Sequence, residues 1–520
     1  MQQEINISLS PKDASNEHIY KKIASAKAGV DVSRVRHTRI IRKSIDARQR
    51  DIKVLLTLQL FVDELPNEKP VNFHYRNVSN KQVIVVVGSG PAGLFAALRL
   101  IELGLKPIVL ERGKEVSERK RDVALISREH LVDPDSNYCF GEGGAGTFSD
   151  GKLYTRSKKR GDYQRIFEIL HHHGANDNIL FDAHPHIGTD LLPEIIKSIR
   201  KTIIDCGGEI HFKTKLTDFV IDNDTLKAVV THKGDTINCE AAILATGHSA
   251  RDIYELLDSK KITLEAKSFA MGVRVEHPQE LIDSIQYHVR DRGEYLPAAS
   301  YSLVNQVNGR GVFSFCMCPG GFIVPSATAP NEVVVNGMSP SQRSSPYANS
   351  GIVVEIKPED YAKYSKKGVL AGLEFQKELE QLAWQNGGMK QTAPAQRLND
   401  FVEGKLSSQI PKVSYFPGVV SSPMHSWLPE TLSKSLRDGF KMFDRKMRGF
   451  ITREAVVLGV ESRTSSPLRI PRNPETLEHV QIKGLYPCGE GAGYAGGITS
   501  SAMDGQKCAD AIAMKQNRIK

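Results

Sequence analysis

Val85-Val86-Val87-Gly88-Ser89-Gly90-Pro91-Ala92-Gly93 is the stretch on which the fold turns. The apolar run Val83–Val87 leads into Gly-x-Gly-x-x-Gly, and the small-residue-rich segment Pro91–Leu103 follows. The run suits a parallel strand covered on both faces, and the segment suits a helix packed tightly against it. Each glycine then has a task. Gly88 permits the tight turn, Gly90 lets a pyrophosphate approach the backbone, and Gly93 lets helix meet strand. Ser89, Pro91 and Ala92 complete the loop, whose helix start offers free N–H groups and the positive end of a dipole. A second apolar run, Lys106–Leu110, ends at Glu111-Arg112, about twenty residues further on. A carboxylate there accepts hydrogen bonds from an adenosine ribose and repels a 2′-phosphate. Strand, turn, helix and terminal acid together predict a Rossmann-like dinucleotide site in an α/β fold.

Two later segments narrow the dinucleotide. Ala242-Ile-Leu-Ala-Thr246-Gly247 resembles the strand-plus-ATG segment of glutathione-reductase-type flavoproteins. Leu485-Tyr-Pro-Cys-Gly489-Glu490-Gly491-Ala492-Gly493 resembles their C-terminal motif, in which an acid holds the ribityl chain, with Glu490 here where most of that superfamily has Asp. Gly496-Gly497-Ile498 can bring backbone N–H groups to the pyrimidine edge of a flavin, where they stabilise negative charge on the reduced ring. FAD is the expected cofactor.

With Gly141–Leu153, Phe315-Cys316-Met-Cys318-Pro-Gly320-Gly321 and Val460-Glu-Ser-Arg463-Thr-Ser465-Ser466-Pro, these motifs make residues 81–520 similar to a bacterial family of FAD-dependent dehydrogenases. That family lies in the glutathione-reductase-like, two-dinucleotide-binding superfamily, and the N-terminal segment resembles its small domain too. The resemblance implies an FAD fold and an oxidoreductase, and implies no particular substrate.

The expected layout has four parts. Residues 1–80 read as a small β-α-β-β module and 81–263 as the first part of the FAD-binding domain. Residues 264–445 read as an inserted mixed α+β substrate or cap domain, and 446–520 as the returning part of the FAD domain. Four strands, Glu209–Phe212, Leu216–Asp222, Ala228–His232 and Thr236–Cys239, read as one antiparallel meander, and Lys366–Asn386 as a helix. The chain has 520 residues and a formal charge of +9, which suits an anionic ligand or partner. Seven cysteines are of the wrong parity for a disulfide scaffold. No apolar run reaches membrane-helix length and no secretory leader is apparent, so the cytoplasm is the expected address. The cations Arg34, Arg36, Arg39, Arg42, Lys43, Arg48, Arg50 and Lys53 fit either a solvated sheet face or a nucleic-acid patch.

Candidate chemistry lies around the flavin. Gly141–Leu153 holds five glycines in thirteen residues, so it reads as a loop wrapping the cofactor, with Gly146, Thr147, Ser149 and Lys152 in contact. Cys316 and Cys318 read either as a redox pair or as two neutral thiols, since a CxC disulfide closes a short, strained ring. Arg463 suits a bidentate grip on a substrate anion, and His425 suits proton transfer, with Trp427 for stacking. Consecutive His171, His172 and His173 point in different directions, so no metal is expected there. The leading function is hydride exchange through flavin N5 with a small anionic or unsaturated substrate. NAD(P)H would serve as a transient donor, because no second Gly-x-Gly-x-x-Gly is present. An RNA-modifying flavoenzyme, a Cys316/Cys318 redox flavoprotein and a non-catalytic flavoprotein scaffold are the alternatives.

Overall fold

A computed structural model describes residues 1–49, 51–67, 73–155 and 161–519. Arg50 of the basic run and Glu68–Pro70 of the first linker fall outside them. The N-terminal module is β1 (Gln2–Leu9), α1 (Glu17–Ala28), β2 (Val35–Asp46) and β3 (Lys53–Val62), in a sheet of order β1-β3-β2. Alternating Val54, Leu56, Leu58 and Leu60 face the helix, with Ile7, Leu9 and Ala24, and form its core. Its cations are partly spent on neighbours. Arg34 pairs with Asp63 at 2.6 Å, Arg48 pairs with Asp46 at 2.6 Å, and Arg39 lies over the Phe61 ring. The backbone of Lys43, on the edge strand β2, bonds to Phe181 and Ala183, docking the module on the next domain.

That domain is built on the predicted β-α-β unit. β4 (Val83–Val87), α2 (Pro91–Glu102) and β5 (Lys106–Leu110) come first. Beyond β5 lies β6 (Glu209–His211), and on the other side β7 (Ala242–Leu244) and a late strand, Leu485–Pro487. All pairs are parallel, with Val85 opposite Ile108 on one side and Ala242 on the other. Residues 209–211 therefore leave the expected meander. The helix Leu192–Asp205 is a crossover, and it returns the chain parallel to β5. The meander that remains has three strands, Leu216–Asp222, Thr225–Thr231 and Thr236–Asn238, the first two joined at Asn223-Asp224, both with positive φ.

The larger sheet has seven strands. In order they are Val304–Val307, β9 (Arg310–Cys318), β10 (Tyr347–Ile356), β8 (Phe269–Pro278), β12 (Val456–Glu461), β11 (Ala393–Arg397) and Val419–Ser421. β12 lies in the segment expected to have returned to the FAD-binding domain. Its all-buried Val-Val-Leu-Gly-Val-Glu instead fills a central place beside β8, and the return follows Glu461. The helix expected at 366–386 begins at Ala371, because Gly368 takes φ +55 and breaks the preceding 3-10 turns. The last helix, α3 (Ile498–Ile519), crosses α2 at backbone contact. A methyl group at Gly505 would lie 2.0 Å from the Ala92 carbonyl oxygen. No helix among the described residues is long and apolar enough to cross a membrane.

Candidate functional site

The parallel strands all end at one edge, where loops from the strand ends gather. Gly88 ends β4 with φ +103, and a Cβ there would stand 2.4 Å from the Ala245 carbonyl oxygen. A Cβ on Gly93 would lie 1.9 Å from the Gly88 carbonyl oxygen, which leaves helix and turn in direct contact. Gly90 differs. Within 4 Å its Cβ would meet only the Gly144 Cα, at 3.9 Å. Gly90 is the N-cap of α2, Pro91 follows, and no side chain caps the helix, so no side-chain oxygen takes its first-turn amides.

Ser89 and Glu111 are buried and bonded together. One Glu111 carboxylate oxygen accepts from the Ser89 N–H (2.9 Å) and hydroxyl (2.8 Å). The other accepts from the amides of Gly113 (2.9 Å) and Gly141 (3.0 Å). The acid expected to bind ribose thus holds three loops in register. Arg112 pairs with Asp252 at 2.9 Å and lies over the Phe140 ring.

The glycine-rich loop folds over the turn. The Gly143 amide donates to the Ser89 carbonyl at 2.9 Å, and a Cβ on Gly146 would sit 3.4 Å from Pro91 Cγ and 3.5 Å from Ile498 Cγ1. The Thr147 hydroxyl donates to the Glu142 carbonyl and that of Ser149 to the Gly146 carbonyl, so both shape the loop itself. Lys152 pairs with Asp150 of the same loop at 2.8 Å and lies 3.5 Å from Cys318 Sγ. Burial works against charge on Lys152, but the two cysteines and Asp150 outweigh it and hold its pKa above the ordinary lysine value. Burial likewise opposes charge on Asp150, yet Lys152 and Arg343 bring it to about 2.

The sequence did not point to Arg119, which organises this loop. It is fully buried, and its guanidinium donates to the carbonyls of Asn137, Glu142, Tyr138 and Gly144 and to the Thr147 hydroxyl, at 2.7–3.0 Å. Burial lowers its pKa to about 10, still cationic. Arg119→Met should leave those carbonyls unpaired and loosen the loop. A loss of about 2–4 kcal/mol in stability and at least ~10-fold weaker FAD binding is expected, read by thermal melting and fluorescence titration.

At the ends of β7 and Leu485–Pro487, Thr246-Gly247 and Gly489-Glu490 lie side by side. Gly247 has φ +71, with open space where a Cβ would stand, and Gly497 is equally open. His248, which the motifs do not include, lies 3.6 Å from Glu490. Burial raises Glu490 to about 7 and lowers His248 to about 4, so the pair is neutral near its midpoint. The Gly489 amide donates to Asp504 (2.8 Å), which Arg472 grips at 2.6 Å.

Four other candidates sit apart or are spent. Arg463 lies in a buried cluster with Arg251, Glu332 and Glu380, at 2.7–3.0 Å, and its remaining nitrogen donates to Thr328. Each of its three nitrogens thus has a partner within the protein. His425 bonds to Gln396 on β11, four strands from β9, or roughly 19 Å at the usual spacing. It does not share a site with Cys316. The consecutive histidines diverge: His171 bonds to Asp177 and His173 to Ser198. Cys488, Asp504 and Cys508 place ligand atoms within 4.8 Å of one another, but the Arg472 guanidinium already neutralises Asp504 and reaches Cys508 Sγ at 3.6 Å.

The backbone is open at Gly90, Gly247 and Gly497, and the starts of α2 and α3 meet at Gly146, an arrangement that suits an extended dinucleotide. Comparison with known proteins agrees. Residues 83–119 match the family described as "FAD binding domain", and 268–464 match "FAD-dependent protein, C-terminal domain-like". Residues 1–61 match a domain of unknown function. An uncharacterized protein of Clostridium beijerinckii is 41% identical over 535 residues, covering 98% of each chain. Among solved structures, glycine oxidase from Bacillus cereus aligns at TM-score 0.31 and 14% identity, covering 84% of this chain and 96% of that one. A geranylgeranyl bacteriochlorophyll reductase-like protein from Thermoplasma acidophilum aligns at 0.34 and 13%, covering 84% and 80%. The chain shares a family with its Clostridium relative, and its own matched domains make it an FAD-dependent oxidoreductase.

Proposed function

We propose that FAD is bound in the glutathione-reductase manner, and that the enzyme exchanges hydride with a small anionic or unsaturated substrate between loop 141–153 and the end of β9. The observation that carries this reading is convergence. Gly146 would touch both Pro91, at the start of α2, and Ile498, at the start of α3, so one space adjoins both helix starts. In this reading α2 holds the diphosphate and the α3 N-terminus faces the flavin ring. Bound FAD supplies hydride exchange at N5. Lys152 keeps a positive charge beside the reacting space and favours an anion there, and Glu490 and His248 hold a proton at its other flank. A nicotinamide enters transiently as donor.

The test is anaerobic mixing of the holoprotein with NADH or NADPH. Loss of the oxidised-flavin absorbance on one of them, and its return when air is admitted, is the expected result. A flavin that neither nicotinamide reduces would overturn the proposed donor.

A further inference from the structure

A cleft of about 430 Å³ opens at one edge of the seven-stranded sheet, within the roughly 300–1,000 Å³ usual for small-ligand sites. β8 and β11 end there, and β10 and β12 begin there, because neighbouring strands run antiparallel. Pro278 pairs with Tyr347, and Glu276 and Arg397 both pair with Val456. These strand ends and the segments 411–412 and 453–454 form the lining, to which loop 141–153 and the cofactor turns contribute nothing.

The positive charges of the lining are unspent. Arg397, Lys412 and Arg453 border the cleft, and none of them forms an ion pair among the described residues. Arg453 exerts a pull on Glu403, but Lys405 already pairs with that acid at 2.7 Å. Two acids share the lining. Glu454 is exposed, and Glu276 is buried, its carboxylate accepting from the Ser414 amide at 2.8 Å and from the Ser414 hydroxyl. Burial pushes Glu276 up to about 7, so near neutral pH it is only partly ionised. The balance is cationic.

Two buried nitrogens point to a ligand independently of that balance. His277 is fully buried, and its Nε2 lies 2.8 Å from the Phe450 carbonyl oxygen, so Nε2 carries the proton and Nδ1 is left an acceptor. Burial lowers the ring to about 4, which keeps it neutral. No described residue donates to His277 Nδ1, and none accepts from Arg397 Nε, although both atoms are buried. Folded proteins rarely leave such groups unpaired, because each loses its bond to water and gains nothing in return. The two are of opposite kinds. An anion answers Arg397, and a hydroxyl donor answers His277.

We infer that this cleft binds a small phosphorylated molecule that carries a free hydroxyl group. The phosphate takes the Arg397 Nε–H and the charges of Lys412 and Arg453, and its three terminal oxygens match three cations better than the two of a carboxylate. The hydroxyl donates to His277 Nδ1, and Tyr347 gives the cleft an aromatic wall. The site is separate from the flavin space and stands whatever the flavin reacts with.

The test is calorimetric titration of the FAD-loaded protein with ribose 5-phosphate and with glycerol 3-phosphate. Ribose, glycerol and inorganic phosphate are the controls, and the holoprotein keeps the cofactor's own phosphate site filled. One phosphate ester should bind per chain, at least ~10-fold more tightly than its controls, and Arg397→Gln should weaken it at least ~10-fold. Lys412→Ala/Arg453→Ala alters only exposed side chains, so it should weaken binding while leaving the melting temperature and flavin absorbance of the unliganded protein unchanged. That variant decides the matter if Arg397→Gln fails to fold. Three results would each overturn the site: neither ester binds, inorganic phosphate binds as tightly (an adventitious ion only), or the variants bind as well as wild type.

Discussion

Gly90→Val protein is expected to fold, and to emerge colourless. The substituted position has open space on the apoprotein side, where a Cβ would have the Gly144 Cα, at 3.9 Å, as its one neighbour within 4 Å. That space is the part of the turn where a diphosphate must approach the main chain, so branched carbons there displace ligand rather than protein. At least ~100-fold weaker FAD binding, about 2.7 kcal/mol, is expected, with a melting temperature close to that of wild-type apoprotein. Gly93→Ala should behave in the opposite sense. Its methyl would lie 1.9 Å from the Gly88 carbonyl oxygen, so helix and strand must part, at about 1–3 kcal/mol or more. FAD titration and thermal melting of the two apoproteins separate the effects. A Gly90→Val protein that binds FAD normally would contradict the site.

Glu380→Gln should lower the melting temperature by roughly 3–5 °C, the equivalent of about 3–5 kcal/mol for a chain of this length. Glu380 is fully buried, and its carboxylate accepts from Ser462, Arg251 and both faces of the Arg463 fork, at 2.6–3.0 Å. Neutralising it leaves two buried arginines with Glu332 alone. The contacts join the helix Arg251–Ser259 of the FAD-binding half to the cap, so the two halves should unfold less cooperatively in the variant. Burial raises Glu380, but Arg251 and Arg463 outweigh it and hold the folded value below the ordinary 4.5. Its stabilising effect is therefore present above about pH 4.5 and is lost as pH falls through the folded value. An unchanged melting curve would show that the cluster holds nothing together.

Much of the cofactor site is legible from local pattern. Val83–Val87, the three glycines and Glu111 announce a strand, turn and strand end through spacing alone, and each lies where that spacing predicts. Glu111 shows the limit of such reading. Its position is clear, but that its two oxygens serve Ser89, Gly113 and Gly141 depends on a loop thirty residues away. Arg119 leaves no signal, because in Val-Ser-Glu-Arg-Lys-Arg-Asp nothing separates a buried arginine from two exposed-looking neighbours. Arg463 misleads for a related reason. Its residue type suits anion binding, yet the anions it meets are Glu332 and Glu380, more than eighty residues distant in sequence. Residues 209–211 join the parallel sheet and not the meander, because three residues cannot declare whether they pair parallel or antiparallel.

The central claim is that the amides at the start of α2, roofed by Gly144 and Gly146, hold the diphosphate of FAD. The most direct measurement is the flavin content of the pure protein, read from its visible absorbance and from the nucleotide released on denaturation. The account predicts one FAD per chain, restored on adding FAD to stripped protein. A colourless protein that takes up no added FAD would contradict it.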